Sequence, residues 1–206
     1  MTEVSLEKSH GHSAADAHAK HEALRVENFK LGWWLYLASE VVLFTVLIAT
    51  FVVFRIDHPE VVKEVHEKAG VLLVALNTFI LLTSSWAMVM GLREIQRGNV
   101  SGLVRWIGLT AVMGTIFLLL QWVEYNTLGA EGITLQSGQF GMRFYAPTAF
   151  HGVHVLIGVI WAVWVMWRAR NGKYSSTNYL GVEVFGLYWH FVDVVWIVLF
   201  TLIYLV

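Results

Sequence analysis

Apolar and polar positions alternate along this chain on a coarse scale: five long apolar runs are separated by short charged connectors. The runs cover 32–54, 70–92, 104–126, 146–167 and 184–206. A hydrocarbon core of about 30 Å requires about 20 apolar residues in a helix, and each run meets that length. Each is apolar around most of its circumference, unlike a helix lying half in water. The expected fold is therefore all-α, a polytopic membrane bundle of five transmembrane helices. A buried helix in a soluble protein would explain one such run, but not five in succession. The short connectors make sequence neighbours antiparallel, and no internal repeat or low-complexity block stands out. Residues 31–206 thus read as one five-helix transmembrane domain.

Residues 1–30 are different. They are polar, rich in Ala, Glu and His, and lack the apolar stretch of a signal peptide. The expectation is a solvated cytoplasmic tail with a helical stretch over 23–29. Its histidines, His10, His12, His18 and His21, would bind metal only adventitiously.

Composition narrows the picture. The chain is 57% hydrophobic and only 14% charged, against about 25% charged in soluble domains. With no cysteine, disulfides, thiolate metal sites and Cys nucleophiles are excluded. A formal net charge of −1 gives no electrostatic case for a nucleic-acid partner. Ten tryptophans and two prolines suit long helices with interfacial anchors. Basic residues near the span ends divide unevenly. Arg25, Lys30, Arg93, Arg97, Arg105, Arg168, Arg170 and Lys173 fall on one side, and Arg55, Lys63, Lys68 and Arg143 on the other. The positive-inside rule then places the amino terminus in the cytoplasm and the carboxyl terminus outside.

Ionisable residues inside a span are costly and normally face protein or trapped water. The spans hold Glu40, Glu124, His151, His154, His190 and Asp193, with Glu183 at the edge of the last. At 1.5 Å rise per residue, Glu40, His190 and Asp193 lie roughly 9–13 Å from the inner side. Glu124 sits near the outer end of its helix, with His151 and His154 roughly 8 and 12 Å from the outer side. Two polar layers are expected: an inner one of Glu40, His190 and Asp193, and an outer one of Glu124, His151 and His154, with Glu124 tied to His151. His190 and Asp193 are three apart and share a helix face, as do His151 and His154. Each pair reads as a fixed hydrogen bond between helices before it reads as a proton relay. For Glu40, amid Val41, Val42, Leu43 and Phe44, the two readings stand even.

Haem is disfavoured. Two axial imidazoles must approach within roughly 4 Å, whereas His154 and His190 are expected roughly 9 Å apart along the membrane normal. His151 and His154 share one face and cannot clamp both sides of an iron. P-loop, Rossmann and HExxH patterns are absent. Ser84 and Ser85 suit helix packing better than nucleophilic catalysis.

Two unusual strings remain. Tyr188-Trp189-His190-Phe191-Val192-Asp193-Val194-Val195-Trp196 resembles a signature of subunit III of haem–copper terminal oxidases, the cytochrome c and quinol oxidases. Thr148-Ala149-Phe150-His151-Gly152-Val153-His154-Val155-Leu156-Ile157-Gly158 is similar to a second, and Ser39-Glu40-Val41 to a third. Weaker echoes at Asn77-Thr78, Gln121-Trp122-Val123-Glu124-Tyr125 and Gly181-Val182-Glu183 extend the likeness over about 31–206, in family order.

The resemblance implies a non-catalytic subunit of a complex that reduces O2 to water and pumps protons in bacterial aerobic respiration. Such a chain binds no haem or copper, which reside in partner subunits. It packs beside subunit I, with subunit II and, as a further candidate, subunit IV. It supports proton uptake, protects the catalytic site during turnover and holds phospholipid. Glu40 matches the family's buried, carbodiimide-reactive helix carboxylate. Arg168 falls where a family arginine near a lipid headgroup lies, and Glu183 marks the same interface. Many members have seven spans. The five here match the later ones, so lipid is expected between this chain and a neighbour. The expected location is the bacterial plasma membrane. The rival readings are a di-haem quinol-oxidising cytochrome, a proton-coupled transporter, and a subunit III-like partner of nitric oxide reductase.

Overall fold

The computed structural model describes residues 3–60, 70–136 and 138–205, with side chains from residue 24 onward in those ranges. Lys63, Lys68 and the side chains of His10, His12, His18 and His21 lie outside the described residues. Among the described residues all regular structure is helical: α1 (Glu3–Asp57), α2 (Val71–Gln96), α3 (Val100–Ala130), α4 (Gln139–Arg170) and α5 (Leu180–Phe200). The last continues as one π-helical turn, Thr201–Leu205. Five stretches are long and apolar enough to cross a membrane: Leu24–Asp57, Val71–Gln96, Val100–Ala130, Gln139–Arg170 and Leu180–Leu205. They coincide with the five runs expected from sequence, falling one residue short at 70 and at 206 and overshooting every other end. Helix α1 begins at Glu3, well before the helical stretch expected over 23–29. The Ala, Glu and Lys of this segment are good helix formers.

The chain forms two compact units that divide within α1, residues 1–41 and 42–206. The first is a single helix whose described surface is largely exposed, with Leu37 and Glu40 buried. Ser39 donates back to the Tyr36 carbonyl at 2.6 Å.

In the second unit α2 packs on α3, α3 on α4, α4 on α5, and α5 back on α2. The sequence dictates how α2 and α3 meet. Buried positions on α2 include Val74, Asn77, Leu81, Ser84, Met88, Gly91 and Ile95. On α3 they include Leu103, Ile107, Thr110, Gly114, Phe117, Gln121, Glu124 and Leu128. Both series advance by alternating steps of three and four, the seam of a left-handed pair of helices. Small residues let the backbones approach: a Cβ on Gly91 would lie 3.1 Å from Ile107. The turns are local. Asn99 caps α3 by accepting from the Gly102 amide at 3.0 Å. Gly98 (φ 79°) and Gly172 (φ 68°) take the left-handed conformation that closes α2 and α4. Pro147 lies inside α4 and removes one backbone donor. One residue on, the Thr148 hydroxyl donates to the Phe144 carbonyl at 2.8 Å.

Candidate functional site

The polar residues of the bundle are strung along one side of α5, from its amino-terminal half to the chain's end. At the first level the Trp189 indole donates to Ser84 Oγ at 2.9 Å. The Thr110 hydroxyl lies 3.3 Å from the Ser84 carbonyl. The adjacent Ser85 Oγ is 2.8 Å from His190 Nδ1. The Trp189 ring is wedged between α3 and α4: a Cβ on Gly114 would lie 2.7 Å from it and one on Gly158 2.6 Å. Only glycine fits at either place. Asp193, one turn on, is 4% exposed. Its carboxylate interacts with Ser85, and neither oxygen has a partner at ordinary hydrogen-bond geometry.

His154 comes next. Its Nδ1 lies 2.8 Å from the Phe150 carbonyl, and its backbone carbonyl accepts from the Tyr188 hydroxyl at 3.0 Å. The ring meets Phe44 edge-on at 5.2 Å, and Phe44 also touches Phe191 at 6.2 Å. One further level holds His151, fully buried, stacked on Trp196 at 4.8 Å and edge-on to Phe117 at 5.7 Å. Trp196 donates to Thr78 Oγ1 at 2.9 Å, and Asn77 donates to the Phe117 carbonyl at 3.1 Å.

The last level holds three neighbouring sets of hydrogen bonds. Tyr204 donates to Glu124 at 2.8 Å. Tyr125 donates to Thr148 Oγ1 at 2.8 Å, and Gln121 reaches both Tyr125 Oη and the Thr148 carbonyl. Tyr145 donates to the Ile133 carbonyl at 2.8 Å. The π-helical turn at Thr201–Leu205 buries both Ile203 and Tyr204, and Arg55 donates to its Leu202 carbonyl at 3.0 Å.

These contacts run as a series of levels along α5. His190 and Asp193 both neighbour Ser85. His154 packs against Phe44, Phe150 and Tyr188. The expected Glu124–His151 tie is not made: the carboxylate bonds Tyr204, and both His151 nitrogens lack partners. Glu40 belongs to the first unit, where it interacts with the Tyr36 hydroxyl one turn back. That unit also presents an open groove of about 400 Å³ lined by Asn28, Phe29, Gly32, Trp33 and Tyr36.

Arg168, near the end of α4, lays its guanidinium over Trp164 at 4.8 Å and Tyr174 at 5.6 Å. Tyr174 lies in the connector beyond the span. Burial pushes its phenol above the usual value, and the Arg168 charge partly offsets this. Glu183 is half-buried in the first turn of α5. Among the described residues no three His, Asp or Glu side chains gather to hold a metal.

Several partners were not anticipated: Tyr204, Thr110, and Arg55 with the Leu202 carbonyl. The signal for Thr110 was present, since it falls in the three-four register of buried positions on α3. Tyr204 and Arg55 carry no local signal, because their partners are 80 and 147 residues away.

The family model described as "Cytochrome c oxidase subunit III" matches residues 12–206. A protein of Synechocystis sp. named cytochrome c oxidase subunit 3 is 39% identical over 205 residues, covering 99% of this chain and 86% of its own. One of the same name from Thermostichus vulcanus is 38% identical, covering 96% of both chains. Quinol oxidase subunit 3 of Bacillus subtilis is 34% identical over 95% of both.

Proposed function

The chain belongs to the cytochrome c oxidase subunit III family, and we propose that it is the subunit III of a proton-pumping haem–copper oxidase in a bacterial plasma membrane. Family membership makes it a membrane component of an oxidase with other subunits. The observation that carries the finer reading is the continuous match over 12–206. Within it, the family-like strings at 148–158 and 188–196 supply side chains that join α2, α3, α4 and α5. The partners are subunit I, which holds haem and copper, and subunit II, whose chemistry decides between cytochrome c and quinol as donor. The amino terminus is cytoplasmic, in keeping with the distribution of Lys and Arg.

In this reading the Ser85–His190–Asp193 group supports proton uptake into subunit I, and so, separately, does the Glu40 carboxylate. Glu124, His151 and His154 stiffen the outer half. The hydrogen bond between Ser85 and His190 supports the first assignment, and the Tyr204–Glu124 bond the second. Phospholipid is held at the protein's margin. The open apolar groove over Asn28–Tyr36 supports a site for an acyl chain. Arg168, clamped by two aromatic rings, and Glu183 mark a headgroup level.

The test is purification of the tagged full chain from native membranes in mild detergent. Co-purification of a haem- and copper-containing chain with O2-reducing activity is the expected result. A tagged chain recovered without any haem-bearing partner sinks the reading. An oxidase prepared without this chain is expected to start at near-normal rate and lose activity during turnover.

A further inference from the structure

Buried side-chain atoms without a hydrogen-bond partner are rare in folded proteins. Among the described residues of the second unit they are Asn77 Oδ1, both His151 nitrogens, both Asp193 oxygens, which still interact with Ser85, and Arg168 Nε. The first three residues share one seam. Asn77 bonds the Phe117 carbonyl, Phe117 meets both His151 and Trp196, and His151 stacks on Trp196. Trp196 donates to Thr78, the residue next to Asn77. Asp193 lies one turn before Trp196 on the same buried face of α5. Exposure is 1% at Asn77, 0% at His151 and 4% at Asp193, so neither lipid nor bulk water reaches them.

Neighbouring hydroxyls are already committed. Thr78 donates to the Val74 carbonyl and accepts from Trp196. Ser84 donates to the Leu81 carbonyl and accepts from Trp189. A neutral imidazole needs one donor and one acceptor, and an amide oxygen needs a donor. Water meets both demands and is small enough for a packed bundle. We infer that this seam is an internal hydration site, with water held between α2, α3, α4 and α5 by His151 and Asn77. The inference concerns this chain's own interior and does not depend on which oxidase it joins.

Brief X-ray pulses generate hydroxyl radicals from water where it sits, so buried rings that touch water oxidise. Trp189 and Trp196 are an internal control for each other: they are 0% and 1% exposed, and each indole bonds a hydroxyl of α2. In the intact complex, Trp196 is expected to oxidise at least several-fold faster than Trp189. In the double variant His151→Phe, Asn77→Leu the two rates should converge. Equal background rates in the natural protein overturn the inference. Thermal unfolding gives a second readout with opposite signs. If water bonds the imidazole, His151→Phe lowers Tm by stranding the remaining polar groups. If the imidazole is unsatisfied, an apolar ring of similar shape raises Tm, which also overturns the inference. Should the variants fail to assemble, the comparison of Trp189 with Trp196 in the natural protein still decides.

Discussion

Two tryptophans seven residues apart on one face of α5 show two ways of building a membrane-protein interior. Trp189 lies where the backbones of α3 and α4 close on it, with Gly114 and Gly158 against its ring. Every polar atom at its indole is satisfied by Ser84. Trp196 lies between side chains, Phe117 edge-on and His151 stacked, and polar atoms beside it have no protein partner. The first region is held by steric fit. The second is held by aromatic stacking around groups that require hydration. In a bilayer, where lipid tails are as apolar as leucine, burying hydrocarbon gives little drive for helix association. Close packing and interhelical hydrogen bonds carry that role, and the two regions divide it between them.

The contrast is broken most directly at the glycines. Gly158→Ala places a Cβ 2.6 Å from Trp189, and Gly114→Ala places one 2.7 Å from the opposite side. The ring cannot retreat from one helix without striking the other. Each substitution is expected to cost about 1–3 kcal/mol, the usual range for overpacking. Denaturant or thermal unfolding of the intact complex measures it. Combining either with Trp189→Phe should recover part of the loss, because the shared cause is the indole. Full additivity would show that the glycines matter for some other reason.

Next in size is the pair of tryptophan truncations. Trp189→Phe removes the bond to Ser84 and leaves space in a slot that backbone atoms cannot fill, for an expected loss of about 2 kcal/mol. Trp196→Phe should cost less, about 1 kcal/mol, because the flanking side chains can relax toward the smaller ring. A larger loss at Trp196 than at Trp189 would reverse the assignment of which region is rigid.

How far the sequence disclosed this depends on the residue. Five spans were legible because length and apolarity alone decide whether a helix crosses a bilayer. The inward faces were not, because a span is apolar on every side and hydrophobic residues no longer mark the interior. Polar and small residues mark it instead. Ser84, Gly91, Thr110, Gly114 and Gln121 all lie on the buried seam. His190 and Asp193, three apart on α5, both lie near Ser85, which their spacing alone does not name. Tyr204 could not be found, because its meeting with Glu124 depends on a π-helical turn at the chain's end.

A smaller effect sharpens the contrast at the last level, where satisfaction is complete. Glu124→Gln keeps an acceptor for Tyr204 and should change stability by less than about 0.5 kcal/mol. Glu124→Leu strands the buried phenol and should cost about 1 kcal/mol, the scale of an interhelical hydrogen bond in a membrane. Tyr204→Phe combined with Glu124→Leu should then cost no more than Glu124→Leu alone. If Gln is as damaging as Leu, charge at position 124 matters and the hydrogen-bond account fails.

The smallest effect is expected at Arg55. Its guanidinium donates to the Leu202 carbonyl at 3.0 Å, in the turn where a helix runs out of its own donors. The bond joins the end of α1 to the end of α5, and Arg55 itself is only half-buried. Arg55→Met keeps the apolar stem and removes the donor, so the loss should be about 0.5–1 kcal/mol. It should also be local. Amide exchange should rise over residues 201–205, while Trp189 and Trp196 keep their protection, because helix termini open in small units separate from the core. Arg55→Lys should restore protection only in part, since a single ammonium lacks the reach and planar geometry of the guanidinium. If Arg55→Met instead loosens the whole of α5, the terminal turn and the tryptophan seam form one cooperative unit, and the two regions contrasted above are less independent than their packing implies.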